Sequence, residues 1–460
     1  MTTAPAWPDG PLLAYYGDDF TGSTDAMEAM TAAGVPTVLF LATPSADMLA
    51  RFPHARCIGI AGSSRGRSPA WMDAELPKAF AALAALRAPI LHYKVCSTFD
   101  SSPAIGSIGR AIELGTRAMP GRWSPTIVGA PRLKRYQVFG NLFAAVDGVG
   151  YRLDRHPTMS RHPVTPMGES DLRRHLAAQT TRRIELIDML QLRQGMAAQR
   201  VDALAGDDVP IVLIDVLDEE TLAEAGRLVW QQRGDGLFSA SSSGLQYALA
   251  AHWRESGLLP KEPSLPERSA VSSIAVVSGS CSPVTATQIA WARANGFRTE
   301  RLRLPNALAE SMREAEIERV VAIATAALQQ GTSPLIFSAE GPDDDAVTRF
   351  DQIAQQAGLA RPDAARRVGA TLAEVMKRLV DRSRPARIVI AGGDSSGEVA
   401  SVLDILALTV TASLSPGAPL CRAWSANPER DGLEVVLKGG QIGAEDFFGL
   451  ARGGVRRPAG

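Results

Sequence analysis

The sequence predicts two α/β domains, each a mostly parallel sheet flanked by helices. Three observations carry this expectation. Apolar, β-branched runs recur and end in Gly, Ser or Asp, and Ala-, Leu- and Arg-rich stretches of helical length follow them. A segment rich in proline and charge interrupts the alternation once, from Leu258 to Arg268. A chain of 460 residues is also long enough for two cores.

In the first half the predicted strands are Leu12 to Tyr16, Thr37 to Leu41, Cys57 to Ala61, Ile90 to Lys94, Thr126 to Val128, Ile211 to Ile214 and Leu237 to Ser239. Predicted helices between them include Ser68 to Leu86, Gly106 to Ala118, Glu219 to Gln232 and Gly244 to Glu255. From Pro131 to Arg161 the rhythm fails. Tyr136 to Phe139, Gly140-Asn141 and Leu142-Phe143 read as a hairpin with an Asn-containing turn, followed by a loop bearing Pro and His. Pro260, Pro263 and Pro266 mark the boundary, which gives domains 1–260 and 271–460. After it the alternation restarts. Strands are expected at Ile274 to Val277, Leu335 to Phe337, Ile388 to Ala391 and Leu433 to Leu437, with helices at Val284 to Ala294, Ala364 to Leu379 and Gly397 to Leu406.

Composition narrows the function. The net charge is −1 with no basic run, so the electrostatic footprint of a nucleic-acid binder is missing and a small-molecule partner is expected. Hydrophobic residues at 45% and charged residues at 21% describe an ordinary soluble protein. The four cysteines, Cys57, Cys96, Cys281 and Cys421, are far apart and lack CxxC spacing, which argues against a zinc knuckle or a disulfide framework and for a reducing cytoplasm. Neither a signal peptide nor a membrane span is evident, so the expected location is cytoplasmic.

The chemistry-bearing residues collect where strands end. Leu12 to Tyr16 runs into Gly17-Asp18-Asp19-Phe20-Thr21-Gly22-Ser23-Thr24-Asp25, and carboxylates at the end of a parallel strand stand where ligands bind. Ala61-Gly62-Ser63-Ser64-Arg65-Gly66-Arg67 follows another strand and offers guanidinium forks suited to carboxylate or phosphate. His92-Tyr93-Lys94-Val95-Cys96-Ser97-Thr98-Phe99-Asp100 suits a polyhydroxylated anion: Lys94 for a negative group, Ser97 and Thr98 for hydroxyls, Asp100 for a donor. Cys96 reads better as a small buried thiol than as a nucleophile. His156 and His162 are candidates for substrate contact.

In the second domain, Gly392-Gly393-Asp394-Ser395-Ser396-Gly397 opens a helix and is a credible phosphate cradle, because free N–H groups at a helix start point at an anion. Ser278-Gly279-Ser280-Cys281-Ser282 and Lys438-Gly439-Gly440-Gln441-Ile442-Gly443 end two further strands with small residues. Together they suggest a nucleotide site, although neither GxxxxGK[ST] nor GxGxxG is present.

These segments carry a resemblance that spans nearly the whole chain. Asp18 to Asp25 resembles the D-D-x-T-G-x-x-D signature of the four-carbon acid sugar kinase family. Lys94 to Ser101 resembles the K-x-C-S-T-F-D-S block of its 3-oxo-tetronate kinase branch, and Arg161 to Met167 is similar to that branch's H-P-x-x-P-M. Ser278 to Ser282, Gly392 to Gly397 and Leu437 to Phe448 are similar to the family's S-G-S-C-S, G-G-E-T-S-G and L-K-S-G-N-F-G-x-E-D-F-F. Asp394-Ser395 replaces Glu-Thr, and Gly440-Gln441-Ile442 replaces Gly-Asn-Phe in slightly shifted register. Ser102-Pro103-Ala104-Ile105-Gly106 stands where the branch tends to have a Lys-Gly-Asn run, which leaves the 3-oxo-isoapionate kinases, acting on a branched acid sugar, as a competing branch.

The resemblance implies an N-terminal substrate domain, a C-terminal nucleotide domain and ATP-dependent phosphorylation of a terminal hydroxyl of an acid sugar such as 3-oxo-tetronate, with Mg²⁺ bridging the phosphates. On this reading Ser280, Ser282, Gly392, Gly393, Asp394, Ser395, Gly439 and Gly440 hold ATP. Arg65 and Lys94 grip the substrate carboxylate, and Asp19, Cys96, Ser97, Thr98, Asp100 and His162 also face the substrate. Asp18 or Asp19 orients the hydroxyl and accepts its proton, and Asp25 supports them. No protein-held metal site is expected. A homodimer is expected on base rates alone. Threonate and erythronate kinases of the same family stand beside this reading as alternatives, as do two rivals of other classes: a phosphatase, which wants D-x-D where this chain has adjacent aspartates and then Phe20, and an acid-sugar-binding regulator.

Overall fold

The structure is a computed structural model that describes residues 7–454 apart from 147, 163, 205–206 and 262–267. Most of the proline-rich boundary therefore lies outside the described residues. The chain divides into two compact units, Met1–Ser264 and Leu265–Gly460.

In the first unit the strands are β1 (Leu13–Gly17), β2 (Thr37–Phe40), β3 (Cys57–Ala61), β4 (Ile90–Lys94), β5 (Ser124–Thr126), β6 (Arg135–Val138), β7 (Asn141–Val146), β8 (Val149–Arg152), β9 (Ile184–Ile187), β10 (Ile211–Ile214) and β11 (Leu237–Ser241). The main sheet runs β11-β4-β1-β3-β2, all parallel. β1 is buried along its whole length, as a strand covered on both faces must be, and so it reads as an unbroken apolar run. Tyr16, Phe80, Tyr93 and Phe238 pack with Leu76, Leu83 and Ile112 in one core cluster. The Tyr16 and Tyr93 rings stack at 6.0 Å. The helices start on side-chain caps: Asp19 for Phe20–Ala32, Ser68 for Pro69–Ala84 and Ser107 for Ile108–Ala118.

The irregular stretch does contain the hairpin, with its turn at Phe139-Gly140 rather than Gly140-Asn141, because Asn141 already pairs with Val138. β6 and β7 pair antiparallel through a turn in which Phe139 (φ 49°) and Gly140 (φ 77°) both take positive φ, and β8 adds a third strand. Buried Asp215 ties this turn down, accepting from the backbone N–H of Phe139 (2.5 Å) and Gly140 (3.0 Å). The strand expected at Thr126 to Val128 lies earlier, at β5, and pairs with β10, which pairs in turn with β9, in a separate parallel sheet. Ile127 leaves the ladder because its N–H donates to the Ser241 hydroxyl at 2.8 Å.

The second unit holds β12 (Ala275–Ser278), β13 (Arg298–Arg301), β14 (Pro334–Phe337), β15 (Arg387–Ala391), β16 (Ile405–Ser415), β17 (Ala418–Ser425) and β18 (Glu434–Lys438). Their order is β16-β17-β18-β15-β12-β14-β13, parallel from β18 to β13 and antiparallel among β16, β17 and β18. From β12 the chain builds toward β14 and β13, then returns to β15 on the other side. The ends of β12 and β15 therefore flank a topological switch point, where open α/β sheets bind ligands.

The helix expected at Gly397 to Leu406 is corrected by the structure to Gly393–Val402. Ile405 and Leu406 already belong to β16, whose run Thr409-Val410-Thr411-Ala412-Ser413-Leu414 favours an extended chain through its alternation and β-branched residues. Strand β13 and the helix Glu310–Gln329 are additions that the sequence pattern does not announce. Among the described residues no helix is long and apolar enough to cross a membrane.

Candidate functional site

At the C-terminal ends of β1, β3 and β4, backbone and side chains knit one charged cluster. The Asp18 N–H donates to the Lys94 carbonyl and the Arg65 N–H to the Asp18 carbonyl, both at 2.9 Å. The Arg65 guanidinium forks onto Asp18, with Nε to Oδ2 at 3.0 Å and Nη2 to Oδ1 at 2.7 Å, and reaches Asp19 Oδ2 through Nη1 at 2.7 Å. Asp19 also caps its helix, Oδ1 accepting from the Gly22 N–H at 2.7 Å. The two aspartates differ in access: the Asp18 side chain is 5% exposed and that of Asp19 30%.

Burial pushes the Asp18 carboxyl up to about 6, against the pull of Arg65 and with a further push from Asp19. Burial also works against the Arg65 charge, but the two carboxylates outweigh it and keep the guanidinium protonated. Lys94, fully enclosed, donates to the Val95 carbonyl at 3.0 Å and lies 3.6 Å from Asp25. Gly22 makes this crowding possible. A Cβ there would stand 2.5 Å from Asp19 Oδ1 and 3.0 Å from Lys94 Nζ.

Beyond β4, Thr98 Oγ1 donates to Asp100 Oδ1 at 2.6 Å and sits 2.9 Å from Cys96 Sγ. Thr165 Oγ1 donates to Asp100 Oδ2 at 3.3 Å and lies 3.0 Å from His162 Nδ1, so His162 joins this cluster through Thr165. Burial alone would raise Asp100, but the Arg65 field and the Thr98 hydrogen bond hold it below the usual carboxylate range. Burial raises the Cys96 thiol, and Asp100 adds to the rise, which fits an inert thiol. Phe99, fully buried at φ 55°, adopts a strained left-handed conformation in the middle of this loop. Ser97 is part-exposed beside it.

The Arg65 fork is bonded to Asp18 and Asp19, and Lys94 lies 3.6 Å from Asp25, so each cation of this cluster has an acidic partner. His156, buried, accepts at Nδ1 from the N–H groups of Thr158 and Met159 at 3.2 Å, which ties down its own loop.

In the second unit the three small-residue turns follow the neighbouring strands β18, β15 and β12. The Gly392 N–H donates to the Lys438 carbonyl and the Gly279 N–H to the Ala391 carbonyl, each at 2.9 Å. Gly392 sits at φ 124°, open only to glycine at low cost, and leads straight into the helix start at Gly393. Ser282 caps the helix Pro283–Ala294, and Ser280 Oγ accepts from the Ser282 N–H at 3.2 Å. A Cβ on Gly440 would lie 2.6 Å from Ser280 Oγ and 3.1 Å from Ser282 Cβ, so the β18 and β12 turns press together. Thr285 Oγ1 holds the Gly440 carbonyl at 2.9 Å, and Gln288 Nε2 lies within 3.1 Å of the carbonyls of Ile442, Gly443 and Ala444. The side chains of Asp394 and Ser395 lie outside the described part of this helix start. Serine hydroxyls, glycine backbone and two helix N-termini thus collect at neighbouring strand ends, groups of the kind that suit phosphate.

Two groups escaped the sequence reading of the sites. Lys438 is fully buried, 3.2 Å from Thr285 Oγ1, and burial lowers its ammonium to about 8. A lysine closing an otherwise apolar strand just before Gly439-Gly440 was the available signal. Arg135 opens β6, directly before the run that the sequence reads as a hairpin, and the sequence does not mark it as a site residue. Among the described residues no group of three or more His, Cys, Asp or Glu side chains could hold a metal ion.

Comparison with known proteins follows the same division. Residues 13–249 match the family described as sugar-binding N-terminal domain, and residues 275–448 match the nucleotide-binding C-terminal domain. A 3-oxo-isoapionate kinase from Paraburkholderia graminis is 73% identical over 453 residues, covering 98% of this chain and 96% of that protein. A 3-oxo-tetronate kinase from Pseudomonas fluorescens is 31% identical, covering 96% of this chain and 97% of that one. Among solved structures, a Salmonella typhimurium protein with the provisional description of a tRNA synthase is 25% identical and superposes with a TM-score of 0.79 over 96% of this chain and 98% of its own.

Proposed function

The chain belongs to the four-carbon acid sugar kinase family, and from that premise we propose that it transfers the γ-phosphoryl group of ATP to a terminal hydroxyl of 3-oxo-isoapionate. The observation that carries the choice of substrate is the 73% identity to a 3-oxo-isoapionate kinase, against 31% to a 3-oxo-tetronate kinase, at matching coverage. Local geometry supports it. Where the tetronate branch tends to have a Lys-Gly-Asn run, Ser102 and Ile105 close a tight turn (Ser102 N–H to Ile105 carbonyl, 2.9 Å), and a Cβ on Gly106 would lie 2.3 Å from the Arg65 carbonyl. The departure in sequence thus packs against the acidic cluster that would receive the hydroxyl.

The reaction asks little covalent chemistry of the protein. The acceptor hydroxyl oxygen attacks the γ-phosphorus, the bond to the β-phosphate oxygen breaks, ADP leaves, and the hydroxyl proton passes to a carboxylate. Asp19 takes that proton, since its carboxylate is the accessible one of the pair, while Asp18 fixes Arg65 and Arg65 fixes Asp19. Ser280, Ser282, Gly392, Gly393, Gly439 and Gly440 hold the phosphates, with the Lys438 charge beneath them. Mg²⁺ neutralises the phosphates when bound. The cradle's hydroxyls and amides suit phosphate oxygens and metal-bound water rather than a protein cage.

ADP release measured with a panel of acid sugars tests the proposal. Turnover with 3-oxo-isoapionate above that with 3-oxo-tetronate is expected. Binding without ADP release would make the chain a regulator, and phosphate release from a phosphosugar would make it a phosphatase.

A further inference from the structure

The acidic cluster poses an electrostatic problem for the substrate the kinase reading requires. An acid sugar carries a carboxylate. Yet at the ends of β1 and β4 two carboxylates share one guanidinium, Lys94 is matched by Asp25, and Asp100 faces the hydroxyls of Thr98 and Thr165. The balance of these side chains is negative. A second carboxylate brought there needs a cation without an acidic partner.

Arg135 is such a cation. Its Nη1 touches only backbone carbonyls, those of Leu133 (3.1 Å), Lys134 (3.2 Å) and Ala145 (3.4 Å). Its Nε is buried and has no hydrogen-bond partner, and among the described residues no carboxylate forms an ion pair with it. The two arginines buried outright among the described residues have carboxylate partners: Arg387 has Glu434, and Arg430 has Asp381 and Asp404. Arg135 stands opposite Ala144 across β6 and β7, and Leu142 and Ala144 share one core cluster with Val95 and Phe99, so the hairpin packs with the segment that carries Cys96. Burial lowers the Arg135 guanidinium, and Cys96 is among the groups that act on its charge. The three carbonyls fix one edge of the fork and leave Nε, with the second Nη, for a planar anion.

We propose that Arg135 receives the carboxylate of the acid sugar and is a specificity-determining residue of the acceptor site; this rests on the kinase reading above. The β6–β7 hairpin, anchored by Asp215 at its turn, then serves to carry this guanidinium to the Cys96 loop. Arg65 is left to orient the two aspartates. One fold element supplies recognition of the acid and another the deprotonation of the alcohol.

The test compares the acid sugar with its carboxamide in wild type, Arg135→Met and Arg135→Lys, reading KM for the sugar, KM for ATP and Tm. Wild type prefers the acid. Arg135→Met raises the sugar KM by about 10- to 100-fold, the worth of a hydrogen bond to a charged group, leaves the ATP KM unchanged and abolishes the preference for acid over amide. Arg135→Lys recovers part of it. If acid and amide suffer equally in Arg135→Met, or the acid preference survives, the proposal is wrong and Arg135 only braces the hairpin. If Arg135→Met does not fold, the same comparison is read from Arg135→Lys, where an undiminished acid preference overturns the proposal. Failure of the kinase reading is distinct, since wild type would then release no ADP with any acid sugar.

Discussion

Replacing Asp19 with asparagine separates chemistry from architecture. The new side chain keeps an oxygen for the Gly22 N–H, now accepted at 2.7 Å, and asparagine caps helices about as well as aspartate. What disappears is the charge facing Arg65 Nη1 at 2.7 Å, in a pair whose side chains are 25% and 30% exposed, where such contacts contribute about 0–1 kcal/mol. A Tm loss of about 2–4 °C at most follows for a unit of this size. The catalytic loss is far larger. Removing a general base costs about 10²–10⁴ in rate, or roughly 3–5 kcal/mol of barrier at 1.36 kcal/mol per decade. Asp18→Asn is the contrast: it breaks the bidentate half of an enclosed ion pair, and breaking a buried pair costs about 3–5 kcal/mol of stability. Steady-state ADP release with calorimetric Tm separates the two. A wild-type kcat in Asp19→Asn would refute the assignment of the base.

Other outcomes follow from the same geometry. Activity falls on the acid side through about pH 6, where Asp18 protonates and loosens Arg65; a kcat profile flat across that range would contradict the ion-pair account. Stability moves the other way for buried Asp215, whose folded-state value is also raised to about 6. Its contribution is fully present below the unfolded value of about 4 and lost as pH rises through 6, so wild type should lose stability relative to Asp215→Asn over that interval in urea titrations. Gly440→Ala puts a Cβ 2.6 Å from Ser280 Oγ, so the Ser280 hydroxyl must turn away; the ATP KM rises with the sugar KM unchanged, and an unchanged ATP KM would contradict a role for this turn in ATP binding. Cys281, exposed on the Ser280 to Ser282 turn, should be alkylated well before buried Cys57 and Cys421, and ATP should slow that labelling in a mass-spectrometric time course.

Much of this was legible because catalytic turns in α/β folds sit at strand ends. The run Leu12 to Asp25 announces β1, its cap and its carboxylates together, and the small-residue turns after β12, β15 and β18 stand on neighbouring strands. What stayed hidden was pairing. Sequence marked Arg65 as a cation but not that Asp18 and Asp19 pair with it across more than forty positions of chain. It marked His156 as a candidate ligand, whereas the local Thr158 and Met159 amides claim its ring nitrogen. The β16–β17 hairpin was missed because Gly397 to Leu406 carries helix-forming residues into a stretch whose β-pairing depends on a partner strand beyond Gly417.

The central claim is a division of labour: one unit holds an acid sugar, the other ATP, and phosphate passes from the second ligand to the first. Product analysis with 3-oxo-isoapionate and ATP tests it most directly, with ADP and the phosphorylated sugar quantified together in one reaction. The account predicts equimolar formation of the two in wild type and neither above background in Asp19→Asn. ADP formed without phosphorylated sugar, or both formed undiminished by Asp19→Asn, would contradict it.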